Sequence, residues 1–198
     1  MVRTALLILY TYTALMLCSC SSDSSVYKSK EDAIEHVSAS FSPGAITLEI
    51  QADPDLNSVR GFSNSCTLLL IQSADIKTLK QIQSNPFLLK EIFNGGGVRD
   101  DILKVDRYTA MPGQQTTLHM DRSENTLHIA LVAGYYPFPQ KQHMIILTVP
   151  TFSKNNGWLS ANWYAQLSPV TLHVRLGSIG IIEYNNSLSN DFSGKEKG

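Results

Sequence analysis

Thr116-Thr117-Leu118-His119-Met120 and Thr126-Leu127-His128-Ile129-Ala130-Leu131-Val132-Ala133-Gly134 decide the fold class. Leu118 and Met120 alternate with polar residues, and the second stretch starts the same way before turning continuously apolar. A period of two is that of a strand with one buried face, and the short polar link reads as a hairpin turn centred on Ser123 and Glu124. In that register Leu118 faces Ile129 and Met120 faces Leu127 on the buried side, while His119 falls opposite His128 on the other. Two facing histidines invite a metal. No third ligand has recognisable spacing, however, and no acid is placed to orient them, so a polar cross-strand pair is the better reading.

Outward from this hairpin the chain keeps returning to short strands. Ala45 to Ile50 alternates, with Ile46, Leu48 and Ile50 on one face. Cys66 to Gln72 is too continuously apolar to be exposed on either face and reads as a central strand, with Cys66 a small buried apolar residue rather than a reactive thiol. Ile102 to Met111 is a strand that stops at Pro112-Gly113, the pair suited to the two central positions of a type II turn. Tyr135-Tyr136-Pro137-Phe138-Pro139 forms an aromatic loop, Met144 to Val149 and Val170 to Leu176 are further strands, and Ile179 to Ile182 adds a short one. Between the second and third strands the period is helical: Ile76, Leu79 and Ile82 share a face, and Asn85-Pro86 opens a second helical piece with proline at its first position. Gly95-Gly96-Gly97 follows that helix instead of opening one and lacks a Gly-Lys-Ser/Thr, so it is a helix stop and not a phosphate loop. Asp53 to Ser65, by contrast, has no apolar period and is long for a β connection, which marks disorder or a functional loop.

The whole is mainly β: a sandwich of two antiparallel sheets, with a short helical insertion after the second strand. A short N-terminal helix precedes it, capped by Ser29, with Ala33, Ile34, Val37 and Phe41 on one face over about 10 residues.

The N-terminus sets the compartment. Arg3 and the apolar run Ala5 to Leu17 have the layout of a secretory signal peptide, and the run falls short of the roughly 20 residues that span a bilayer. Leu17-Cys18-Ser19-Cys20 then resembles the lipobox of bacterial lipoproteins, in which the cysteine is acylated and becomes the first mature residue. Cys20 fits better than Cys18, because the small Ser19 precedes it where Cys18 has the bulky Leu17. Ser21 and Ser22 follow without an Asp at the second position, the pattern that favours the outer membrane. The chain therefore divides into a signal peptide at 1–19, a lipidated Cys20 with polar tether and short helix at 20–44, a sandwich domain at 45–184 and a disordered tail at 185–198. With Cys20 lipidated, only Cys66 remains in the mature chain, so no intramolecular disulfide forms and packing must supply the stability.

Chemistry is mostly absent. The formal net charge is -1, and no Lys/Arg block suggests nucleic acid. There is no Gly-x-Ser-x-Gly, His-Glu-x-x-His or Cys-x-x-Cys, the histidines are scattered, and no carboxylate pair sits in a loop that forms a cleft. An enzyme is disfavoured and no cofactor or metal is expected.

The order of the pieces carries more. A lipobox, a strand running into Leu56-Asn57, a loop, the strand Cys66 to Gln72, a helical excursion containing Phe87-Leu88-Leu89, then Asp101-Ile102-Leu103 leading to Pro112-Gly113, and finally Leu127 to Tyr135: over about residues 45 to 149 this resembles the TssJ (SciN) family of type VI secretion lipoproteins. The resemblance implies a transthyretin-like sandwich, held to the inner leaflet of the outer membrane and facing the periplasm. It also implies no catalysis, and binding to the periplasmic part of the inner-membrane component TssM during assembly of the envelope complex. The family's contact element is the loop after the first strand, which places Leu56, Asn57, Val59, Arg60 and Phe62 at the partner. Ser58 stands where the family usually has proline. Two other roles would share parts of this reading. A pilotin or chaperone of another secretion system would have the same tether, and a periplasmic small-ligand carrier would need a deep pocket with converging polar groups.

Overall fold

In the computed structural model, residues 26–188 are described, apart from 98, 141, 142 and 159. In chain order the elements are α1 (Lys30–Glu35), β1 (Ser42–Ala52), β2 (Cys66–Ser73), α2 (Ile76–Ser84), α3 (Pro86–Phe93), β3 (Ile102–Ala110), β4 (Gln115–Arg122), β5 (His128–Ala133), β6 (Met144–Thr148), β7 (Thr151–Asn155), β8 (Trp163–Leu167), β9 (Val170–Leu176) and β10 (Ile181–Leu188). One sheet has the order β10-β9-β1-β4, the other β3-β2-β5-β6, and β7 pairs with β8 in a small third sheet. The mainly β architecture, the helices after the second strand and the short N-terminal helix all match the sequence reading. Cys20 and the rest of the leader and tether lie outside the described residues.

Burial explains the strand patterns. Leu68 and Leu70 of β2 enter the core between the sheets with Ile46, Leu48, Leu131 and Leu172. Leu69 and Ile71 point the other way, into a second cluster with Leu79, Ile82, Leu89 and Ile92 of α2 and α3. A strand covered on both faces has no reason to alternate. Cys66 is fully buried, and that burial pushes its thiol up to about 12, which keeps it inert. Local signals are used as read: the Asn85 side chain caps α3 by accepting from Phe87 N at 3.0 Å. The Met111–Gln114 turn closes with Gln114 N on Met111 O at 3.1 Å, and Gly113 takes φ 74, the positive value that a type II turn asks of its third residue.

The expected hairpin does not form. β4 pairs with β1, placing His119 against Thr47 and Leu118 against Leu48, whereas β5 lies between β2 and β6 in the opposite sheet. The facing was read correctly, since Leu118, Met120 and Leu127 all pack on the core that holds Ile129. The pairing was not, because opposite faces of a sandwich core carry the same apolar alternation as neighbouring strands. The two histidines are therefore apart: His119 Nδ1 is 3.2 Å from Thr47 Oγ1, and His128 Nδ1 is 3.1 Å from Thr148 Oγ1. What turns the chain from one sheet to the other is Gln72, fully buried on β2. Its amide donates to Asp121 O at 2.9 Å and accepts from Ser123 N at 2.8 Å and Thr126 Oγ1 at 3.0 Å.

Three further differences are smaller. Among the described residues every sheet pairing is antiparallel except that of β1 with β9, which is parallel from Ile46↔Val170 to Ala52↔Leu176. α1 spans 6 residues rather than about 10, and burial on it is confined to Ala33. The final strand runs on to Leu188, with Asn185 against His173 and Leu188 against Val170, where a disordered tail was expected from 185. Asn185-Asn186-Ser187 pairs with β9 along a sheet edge, where ladder pairing needs no apolar alternation.

Strand directions sort the connections between two ends of the sandwich. The β1–β2 loop (53–65), the β3–β4 turn, the β5–β6 loop (134–143) and the β9–β10 turn (177–180) gather at one end, the loop end. The segment from α1 into β1, the β4–β5 crossover and both junctions of the β7–β8 hairpin gather at the other.

Candidate functional site

Loop 53–65 is built, not loose. Asp53 anchors its start: its amide donates to Leu176 O at 2.8 Å, and its carboxylate accepts from Arg175 Nε and Nη2 at 3.0 and 3.3 Å. Leu56 is wholly buried and belongs to the inter-sheet core. Asn57, with φ 46, turns the chain in the left-handed region that asparagine tolerates better than most residues. Its side chain then ties two loops together, donating to Ser65 O at 2.8 Å and accepting from Tyr136 N at 2.9 Å. Asn57 N and Ser58 N donate to Gly177 O and Ser178 O at 3.3 and 2.7 Å, joining the third loop.

The tip follows. Val59 and Phe62 exchange backbone hydrogen bonds of 2.9 and 3.0 Å around Arg60 (φ 53) and Gly61 (φ 83). Two successive positive φ values make this a type I′ turn, which presents Phe62 and Arg60 outward on a short, bonded ladder. Phe62 is 76% exposed. Of the residues that the resemblance places at a partner, Leu56 is therefore a core residue and Asn57 an internal clasp, with no surface to offer. Val59, Arg60 and Phe62 form the tip.

Sequence reasoning picked out the aromatic loop Tyr135 to Pro139 but not the turn residue Ile179 at the same end. Tyr136 and Ile179, each from a different loop, are 68% and 79% exposed, and Met111 of the β3–β4 turn is exposed as well, so the loop end carries these large apolar side chains in addition to Phe62. Ile179 read as the start of a strand, because a turn residue leaves no periodic signal. Beneath them Tyr135 is fully buried, its ring 5.2 Å from that of His143. Phe138 packs on Phe93 at 4.4 Å, and Arg107 lies over the Phe93 ring at 5.3 Å and donates to Phe93 O. At Gly134 a Cβ would stand 2.4 Å from Phe93 Cζ, so any larger residue would force the ring to shift.

His143 is buried, with no partner in good hydrogen-bond geometry at either ring nitrogen. Burial pushes its imidazole below the ordinary 6.5, a backbone group of Ile179 offsetting part of the effect. The unfolded chain thus binds a proton more readily than the folded one, and stability is lost as pH falls below about 6.5. His128 shifts the same way through its own burial. Urea unfolding at pH 7.5 and 5.5 is expected to give a lower midpoint at the acid pH, and His143→Phe a smaller drop. An unchanged drop in the variant would assign the acid sensitivity elsewhere.

Two grooves mark the sheets. One, of about 360 Å³, crosses the outer face over Glu49, His173, Arg175 and Glu183, with Glu49 Oε2 2.8 Å from His173 Nδ1. The other, of about 480 Å³, opens between the edge strands β3 and β4 onto Leu48, Leu68, Leu70 and Met120. Neither brings polar groups together at the bottom of an enclosed cavity, and no group of three or more metal-ligating side chains occurs among the described residues.

As a class, then, the chain is a mainly β module whose most specific construction lies in three interlocked loops rather than in a pocket. It belongs to the type VI secretion lipoprotein family (T6SS-SciN: VasD, EvfM, TssJ, VC_A0113), whose model matches residues 44–175. This is a family of membrane-bound structural lipoproteins and not of enzymes. The fold is similar to that of the T6SS lipoprotein TssJ1 from Pseudomonas aeruginosa, with a TM-score of 0.52 and 18% identity over 75% of this chain and 97% of that one. It is also similar to Serratia marcescens Lip, a membrane-bound component of the type VI secretion system, with a TM-score of 0.51 and 16% identity over 73% and 97%. A chain of a type VI membrane complex gives a TM-score of 0.51 and 14% identity over 69% and 94%. No curated protein sequence matches.

Proposed function

We propose that this chain is the outer-membrane lipoprotein of a type VI secretion envelope complex. Cys20 carries the lipid, the domain faces the periplasm, and the loop end binds the periplasmic part of a TssM-like inner-membrane protein. The observation that carries the reading is the loop end itself, where Phe62, Tyr136 and Ile179 stand exposed on backbone clasped by Asn57. Aromatic and Arg side chains held in place before binding lose little entropy when they enter a partner's pocket, and such residues dominate interface energies. Family membership supplies the setting.

Replacing Arg60 and Phe62 together by Ala is expected to weaken binding to the purified periplasmic domain of TssM at least tenfold, or about 1.4 kcal/mol. The thermal midpoint is expected to stay put, since both side chains project from the tip. Undiminished binding by a stable double variant would remove loop 53–65 from the interface and leave Tyr136 and Ile179 to be tested.

A further inference from the structure

We infer that the tip of the β7–β8 hairpin is a second membrane contact, with Trp158 seated in the headgroup layer of the bilayer that holds the lipid anchor. The inference rests on the reading that Cys20 is acylated.

Trp158 is 96% exposed, the most exposed of the large apolar side chains described. It is held there. Asn155 Oδ1 accepts from Gly157 N at 2.9 Å and from Asn162 N at 3.0 Å, and Asn156 N donates to Asn162 O at 3.0 Å. A Cβ on Gly157 would fall 1.5 Å from Ser160 O, so the turn closes only around glycine. The tip thus spends backbone order on presenting an indole to solvent, an arrangement that burial in this domain does not explain.

The chain between the anchor and the domain ends at the same tip. Tyr27 N donates to Trp163 O at 2.7 Å and Trp163 N to Tyr27 O at 2.8 Å, and Trp163 is paired with Asn155 at the mouth of the turn. α1 packs on β7 and β8, fixing this entry. From Cys20 to Val26 is six residues, which reach at most ~20 Å even when fully extended. Trp158, three residues from Asn155, therefore cannot be far from the bilayer surface once Cys20 is in it. Tryptophan is the side chain that prefers that depth, its ring amphipathic and its N–H able to meet headgroups and water.

The geometry has a consequence for the loop end. The hairpin joins the sandwich at the end opposite loops 53–65, 134–143 and 177–180, and β1 alone is 11 residues, about 35 Å of extended chain. Two contacts at one end, lipid and indole, restrain the tilt that a single flexible tether leaves free. The loops then point away from the membrane.

The test uses the full-length acylated protein in phosphatidylethanolamine/phosphatidylglycerol vesicles containing lipid brominated near the headgroup end of its acyl chains. Wild type and Trp163→Phe are expected to show emission shifted to the blue by roughly 10 nm and quenched by roughly half, as for an indole at the interface. Trp158→Phe, which keeps Trp163, is expected to lose both effects while still floating with the vesicles. Flotation with Trp158 emission unshifted and unquenched would overturn the inference and leave the anchor standing. A chain whose mass carries no acyl groups would overturn the anchor reading and this inference with it. A blue shift that follows protein concentration in detergent, without brominated lipid, would assign Trp158 to a contact between copies and overturn it as well.

Discussion

Replacing Gln72 by Leu is expected to destabilise the domain by about 3–5 kcal/mol, because it takes a partner from the buried Thr126 hydroxyl, the half-buried Ser123 N and Asp121 O at once. Gln72 is wholly enclosed, and Asp121 O, Ser123 N and Thr126 Oγ1 all meet its one amide. Thr126 is itself fully buried and cannot turn its hydroxyl to water. Each orphaned group costs roughly 1–3 kcal/mol, and some relaxation of the exposed Asp121 keeps the total below the simple sum. Against a typical stability of 5–15 kcal/mol, such a loss would be visible as an earlier urea midpoint with unchanged slope. Gln72→Glu separates shape from chemistry. As a carboxylate it keeps the acceptor for Ser123 and Thr126 but loses the donor to Asp121 O and buries a charge, whereas the protonated acid regains an O–H donor, so it should fall between wild type and Leu only when protonated. A Leu variant within about 1 kcal/mol of wild type would show that the crossover holds without its clasp.

That clasp also explains where the sequence could and could not be read. Leu118, Met120, Leu127 and Ile129 announced a shared buried side, and they share one. Which strand lies beside which was not legible, because a hairpin and a crossover between facing sheets leave the same alternation. The one residue that separates the two is Gln72, and at the end of Cys66 to Gln72 it reads as the polar stop of a strand. β2 was legible in full, since both its faces are covered and its run is unbroken. β10 was not, because an edge strand of Asn185, Asn186 and Ser187 has the composition of a tail. At the loop end Asp53 to Ser65 was legible as a long connection without an apolar period, and Phe62 and Arg60 stand exposed at its tip. What the loop needed from elsewhere, Tyr136 and the turn at 177–180, is distant in sequence and joined through the Asn57 side chain. No local pattern encodes it.

Leu56→Ala is expected to act through stability, costing about 2–5 kcal/mol, the range for deleting a fully buried leucine side chain and leaving a cavity. Leu56 precedes Asn57 in the same loop as Phe62, so a contact role and a core role differ sharply in what the variant does. Its side chain has no exposed surface, its amide donates to Asp53 O at 3.0 Å, and its carbonyl accepts from Asn64 N at 2.9 Å, so the residue fastens both legs of the loop to the sandwich. Removing the side chain withdraws the apolar plug while the backbone bonds remain. The midpoint should therefore fall steeply, whereas partner affinity, measured well below that midpoint, should change less than it does on Phe62→Ala. Phe62→Ala should give the reverse pair, with little change in melting because the ring is 76% exposed. If Leu56→Ala lost binding while melting like wild type, the loop would have to open on engaging its partner, with Leu56 leaving the core to join the interface.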